Sequence, residues 1–249
     1  MKKSREEILS INPAFTKFIL DTQLSFKPEP YEEGESVILN MDDDKGTVLT
    51  KDLADKLNDE QNQEFEQNRD LNPFTNLESL QFIESRLIIS SKDNTTEYLI
   101  DIANSLENIR IELGENNLMI LGLQNTPWLY QENEYLPVKN ALDYLGQKID
   151  KDFDGGFLLN GKAVIEFIPH FFWLVRCNAS LPYFYISYPK SKTVISICQY
   201  GVLHFEFYNH KEKIKILKLM SDMNFKELDN CYDQIEFDIF DGRQIKISS

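Results

Sequence analysis

Tyr183–Tyr208 reads YFYISYPKSKTVISICQYGVLHFEFY, and the fold turns on how this stretch is parsed. Three apolar and aromatic runs, Tyr183–Tyr188, Thr193–Tyr200 and Val202–Tyr208, are separated only by Pro189–Lys192 and Gly201. Breaks that short leave no room for the crossover helix that parallel pairing requires, so the runs are predicted to pair antiparallel. In the last run Leu203, Phe205 and Phe207 alternate with His204, Glu206 and Tyr208, the period of a strand with one buried face.

Upstream, Phe157–Leu159, Ala163–Ile168 and Phe171–Cys177 are read as further strands of the same meander, parted by Asn160-Gly161 and Pro169 and followed by a break over Asn178–Pro182. Between Phe171 and Tyr208, 11 of 38 residues are aromatic, against 30 of 249 in the whole chain. Consecutive rings such as Phe171-Phe172-Trp173 and Tyr183-Phe184-Tyr185 point to opposite faces of a strand. Either a helix layer covers the second face, or some of the rings are presented to a partner. Downstream, Ile216, Met220 and Met223 form one stripe of a helix over about 211–223, with Lys211, Lys215 and Lys218 turned to solvent. Asp241-Gly242, between Ile235–Phe240 and Gln244–Ile247, signals a final two-residue hairpin.

The front half carries its own punctuation. Asn12-Pro13 reads as an N-cap and first helical residue, and Thr50 as the cap of a helix with Leu53 and Leu57 inward. The continuation, residues 58–72, is nearly all polar and reads as a solvated helix or a mobile segment. Val37–Met41 reads as a short strand. Leu77, Leu80, Ile83 and Leu87 have helical spacing, although Leu87–Ser90 also fits a strand, and Leu99–Ile109 is equally ambiguous. Alternating Ile109, Ile111 and Leu113, then Gly114–Asn117, then Leu118–Leu123 predict a β-hairpin. Pro137, Val138, Ala141, Leu142, Leu145 and Ile149 predict a helix. The fold class expected is α+β: a mainly antiparallel sheet in the C-terminal half with packed helices, and an acidic helical or irregular N-terminal part. The division expected is 1–75 and 76–249, or one continuous domain.

Charge is distributed unevenly. The chain has 26 basic and 41 acidic side chains, a net charge of −15. Residues 1–160 hold 15 basic and 31 acidic side chains, whereas 161–249 hold 11 and 10. Residues 29–70 alone hold 14 acidic and 4 basic. A surface of this sign disfavours phosphate backbones and anionic membranes, so neither a nucleic acid nor a membrane is expected as a direct partner. The N-terminus lacks the apolar core of a secretory signal, and a cytoplasmic location is expected. The three cysteines, Cys177, Cys198 and Cys231, lack CxxC spacing and predict neither a disulfide framework nor a zinc ribbon.

Few short patterns carry chemistry. Asp150-Lys-Asp152-Phe-Asp154-Gly155 alternates carboxylates before a glycine, as calcium loops do, but the twelfth position is Gly161 where a bidentate Glu belongs. These three aspartates are the one weak metal candidate; otherwise no metal and no cofactor is expected. A thiol enzyme would draw on Cys177 with His204 or His210 and Asn178 or Asn209, yet no local sequence resembles a nucleophile motif. His170, His204 and His210 read as structural or surface residues, and the chain has no GxGxxG, GxxxxGK[ST], GxSxG or HExxH. No catalytic residue is therefore assigned. The reading that remains is a non-enzymatic, acidic protein-binding module of the immunity-protein kind, neutralising a basic partner such as a toxin by stoichiometric binding. Its expected contacts are Asp42, Asp43, Asp44, Asp152 and Asp154 for charge, with Trp128 and Tyr130 as apolar anchors, Trp128 reading equally well as a core residue. The alternatives are a carboxylate- or Cys/His-based hydrolase-like enzyme and an acidic mimic of nucleic acid.

Overall fold

Capping chemistry sets where the helices begin. A computed structural model describes residues 1–38, 46–92, 94–130, 132–177 and 183–231. Asn12 accepts the backbone N–H groups of Ala14 and Phe15 at 2.8 and 3.1 Å, starting the helix Pro13–Ser25 as its sequence requires. Thr50 accepts from Leu53 N–H and starts Lys51–Asn68, so the polar stretch is helical to Asn68. In chain order the helices are α1 (Arg5–Leu9), α2 (Pro13–Ser25), α3 (Lys51–Asn68), α4 (Thr95–Glu112), α5 (Leu136–Gly146), α6 (Lys162–Cys177) and α7 (His210–Asp222). The strands are β1 (Lys2–Lys3), β2 (Ser36–Val37), β3 (Thr47–Val48), β4 (Glu84–Ser90), β5 (Leu118–Gly122), β6 (Gly156–Leu159), β7 (Phe184–Ser187), β8 (Thr193–Ile197), β9 (Leu203–Phe207) and β10 (Phe225–Leu228).

Two compact units result, Leu20–Leu71 and the remainder, formed by Met1–Ile19 with the chain from Asn72 onward. Among the described residues of the larger unit eight strands pair in the order β1-β6-β5-β7-β8-β9-β4-β10, antiparallel throughout. The fold is α+β with a large antiparallel sheet and packed helices. Strand alternation divides its side chains between two cores. Ile120, Phe157, Ile186, Ile195, Leu203, Phe205 and Phe207 meet Ile102, Leu106, Val138, Phe167, Phe171, Ile216 and Met220 of α4–α7 on one face. Met119, Leu121, Leu158 and Val194 meet Ile8, Leu9, Phe15 and Ile19 of α1 and α2 on the other. Of the two alternatives for the aromatic sheet, the helix layer is the one present, and α7 packs as its stripe predicts.

Two expectations are corrected. Ala163–Ile168 and Phe171–Cys177 are not strands but the two halves of α6, with Pro169 inside the helix. Val164, Phe167, Ile168, Phe171 and Phe172 are buried at helical spacing, a signal concealed by aromatic content and by a proline read as a break. The hairpin over Ile109–Leu123 is also replaced. Ile109 is fully buried whereas Ile111 is 59% exposed, which strand alternation forbids and a helix explains. Gly114, at φ +69°, receives the chain just past the end of α4, and its N–H bonds Ile111 O at 3.0 Å: it stops a helix and does not turn a hairpin. Leu118–Gly122 then enters the sheet as β5, fully buried. Of the ambiguous segments, Leu99–Ile109 is helical and Leu87–Ser90 is strand. The Asp241-Gly242 hairpin lies outside the described residues.

The smaller unit pairs β2 with β3 and carries α3. Its links are largely polar. Asn58 and Tyr31 exchange two hydrogen bonds, at 2.7 and 3.0 Å, and Gln23 and Asp70 exchange two more, at 2.7 and 3.1 Å. Leu49 and Ala54 are its buried apolar residues among those described. Among the described residues no helix is long and apolar enough to cross a membrane.

Candidate functional site

The sequence-predicted contacts fall in different settings. Asp42, Asp43 and Asp44 lie outside the described residues. Trp128 is 1% exposed: its ring packs against Phe157, Phe167, Phe171 and Phe184, and its Nε1–H donates to Gly155 O at 2.8 Å. It is a core residue, not an anchor for a partner. Tyr130, two residues on, is 67% exposed. The Asp150–Asp154 run borders an open depression with Lys2, Lys3, Ser4, Glu7 and Phe153. Lys2 Nζ stands 3.3 Å from Asp150 Oδ2 in an exposed ion pair. The glycine that completes the calcium-like pattern has a different cause. A Cβ on Gly155 would collide with the backbone carbonyl of Lys3, so Gly155 lets β1 close on the edge of the sheet.

A donor cluster does form elsewhere, on the face of β8 and β9 opposite α4–α7. Cys198, His204 and Cys231 place one donor atom each, two Sγ and a ring nitrogen, all within 4.8 Å of one another. Among the described residues this is the sole His, Cys, Asp or Glu group gathered closely enough to hold a metal ion. Cys198 opens the β8–β9 turn, where Gly201 N–H bonds Cys198 O at 2.9 Å and Cys198 N–H bonds Val202 O at 3.0 Å. Gly201 holds φ +82°, the left-handed region that glycine enters without steric cost. His204 stands opposite Ser196 of β8 and Leu87 of β4. Cys231 arrives three residues beyond β10, the strand paired with β4 on its far side.

The turn is held from the helix layer. Tyr98 of α4 donates its hydroxyl to Gly201 O at 2.7 Å, and Arg176 of α6 donates Nη1–H to Gln199 O at 2.7 Å. Tyr200 N–H points at Cys198 Sγ from 3.4 Å. Burial pushes the Cys198 thiol up to about 11, against the N–H groups of Tyr200 and Val202 that favour its thiolate. Burial likewise holds His204 below its ordinary value. Its Nε2 is buried with no hydrogen-bond partner. Such an atom is uncommon in a folded interior and calls for an explanation.

The Cys/His arrangement drawn from the sequence is corrected in its members. Cys177 ends α6 and does not join His204; the thiols beside His204 are those of Cys198 and Cys231. His170 stacks on Tyr144 with ring centroids 4.2 Å apart, and His210 begins α7. Sequence spacing concealed the cluster, because Cys198 and His204 flank a turn and Cys231 follows a strand, β10, that lies two places from β9 in the sheet. Comparison of the chain with protein-family models, with curated proteins and with solved structures gives no match.

Proposed function

We propose that this chain is a non-enzymatic, acidic protein-binding module that neutralises a basic partner, of the toxin kind, by stoichiometric occupation, as immunity proteins do. The observation that carries this reading is the surface of the Leu20–Leu71 unit. Asp52, Asp55, Asp59, Glu60, Glu64 and Glu66 lie exposed along α3, and Glu29, Glu32, Glu33 and Glu35 along the preceding loop. Among them the unit leaves Phe26 at 54%, Ile38 at 70%, Val48 at 64% and Leu71 at 87% exposure. Strand register puts Ile38 and Val48 on one face of the β2–β3 pair. Carboxylates accelerate the encounter with a cationic surface, and apolar side chains removed from water then slow departure. Exposed apolar groups offer contacts that a phosphate backbone does not, so the reading does not rest on carboxylates alone. Tyr130 and Asp152 are also exposed, and offer contacts on the larger unit.

The test is stoichiometry, with the purified chain titrated against the basic proteins encoded beside its gene. Binding that saturates at a fixed molar ratio, with inhibition following occupancy, supports the reading. Full protection at strongly substoichiometric amounts would show turnover and overturn it. A complex displaced competitively by DNA would mark the chain as a mimic of nucleic acid.

A further inference from the structure

We propose that Cys198, His204 and Cys231 bind one zinc(II) ion, which fastens the chain beyond β10 to the β8–β9 turn. The donor set is the first argument. Two thiolates and an imidazole suit zinc, whereas calcium and magnesium take oxygen ligands. Geometry is the second. An ion about 2.3 Å from each sulfur and about 2.0–2.1 Å from nitrogen keeps tetrahedral donors roughly 3.5–3.8 Å apart. The three donors here already lie within 4.8 Å of one another, so a contraction of about 1 Å completes the set.

Charge is the third argument. Two thiolates and one dication sum to zero with a neutral imidazole, so the occupied site adds no net charge to a partly buried place, where an unpaired ion is costly. The surroundings are also pre-set. The hydroxyl of Tyr98 and the guanidinium of Arg176 fix the turn, and Tyr200 N–H points at the Cys198 sulfur, the arrangement in which outer groups orient and stabilise a ligating thiolate. His204 Nε2, buried and without a hydrogen-bond partner, marks the imidazole as a group whose polar capacity the protein alone does not fill. Three protein donors leave the fourth position to water.

The experiment uses the full chain, reduced, stripped with a chelator and titrated with zinc(II) against a chromophoric competitor, then with cobalt(II). The expected result is one ion per chain and a cobalt(II) spectrum with thiolate charge-transfer and intense tetrahedral d–d bands. Zinc should also protect Cys198 and Cys231 together from alkylation, read by peptide mass. Cys198→Ser, His204→Ala and Cys231→Ser should each weaken binding by at least about a hundredfold, beyond the loss typical of an outer-shell partner. Cys177→Ser should bind as the parent does. Cys231 lies outside the sheet, so its variant keeps the fold, and circular dichroism verifies this for all four. The proposal is overturned if the folded, reduced chain takes up no zinc, if uptake survives both His204→Ala and Cys231→Ser, or if cobalt(II) shows no thiolate band. A Cys198–Cys231 disulfide forming in air, with no metal uptake after reduction, would make the pair a redox couple instead.

Discussion

Tyr98 of α4 and Gly201 of the β8–β9 turn are joined by one hydrogen bond, 2.7 Å from hydroxyl to carbonyl, with both residues buried. A helix 103 residues earlier in the chain thereby fixes the turn that presents Cys198. Tyr98→Phe keeps the ring in the core but strands the Gly201 carbonyl, which should cost about 1–3 kcal/mol. Urea denaturation should show a lower midpoint at unchanged slope, and hydrogen exchange should quicken at the turn amides.

Arg5 of α1 closes the end of β5 in the same manner. Its Nη1 donates to Gly122 O and Gln124 O at 2.8 and 2.9 Å, and its Nη2 to Leu123 O at 2.7 Å. A planar fork is needed to reach three successive carbonyls, and a lysine ammonium does not supply one. Arg5→Lys should therefore destabilise the chain by about 2–3 kcal/mol, a loss measurable by thermal or urea unfolding.

Glu115, 8% exposed, accepts Lys190 N–H at 3.0 Å, and burial holds its carboxyl above the ordinary value of 4.5. The folded chain thus binds this proton more tightly than the unfolded chain. The stability so contributed is present below the unfolded value and is lost as pH rises through the folded one. Glu115→Gln keeps an acceptor for Lys190 and removes the charge. Its stability should gain on the parent as pH is raised from about 4 to about 7, and equal curves across that range would show that Glu115 is not titrating.

In the proposed complex, charge and apolar contact should separate kinetically. Neutralising Asp55, Asp59 and Glu64 together should slow association several-fold and weaken its salt dependence, leaving dissociation nearly unchanged. Phe26→Ala or Val48→Ala should instead speed dissociation, roughly tenfold if either is a central anchor worth more than about 1 kcal/mol. Surface plasmon resonance at several salt concentrations reads both constants. Rate constants unchanged by either set would remove the acidic unit from the interface.

Trp128 supplies a further contrast. With its ring inside a cage of four phenylalanines, Trp128→Ala should cost about 3–5 kcal/mol of stability while leaving the affinity of the folded fraction unchanged. Denaturation and binding measured on the same preparation separate the two effects.

What the sequence by itself determined are the features written in a few neighbouring residues. Asn12-Pro13 and Thr50 name the starts of α2 and α3 because a side chain two or three positions away satisfies the first free N–H groups. Residues 183–208 name three antiparallel strands because short breaks admit no other pairing, and period-two alternation names which side of β9 is buried. Tertiary structure decided the rest. The aromatic run around Pro169 is apolar on nearly every side, so it has the composition of a strand and the burial spacing of a helix; packing against α4 and α5 selects the helix. Trp128 is enclosed by phenylalanines from β6, β7 and α6, which nothing near it in sequence announces. Cys198, His204 and Cys231 converge only because β10 pairs with β4 and β4 with β9. Strand order among segments more than a hundred residues apart is set by the summed burial of a whole sheet, a quantity that no local pattern contains.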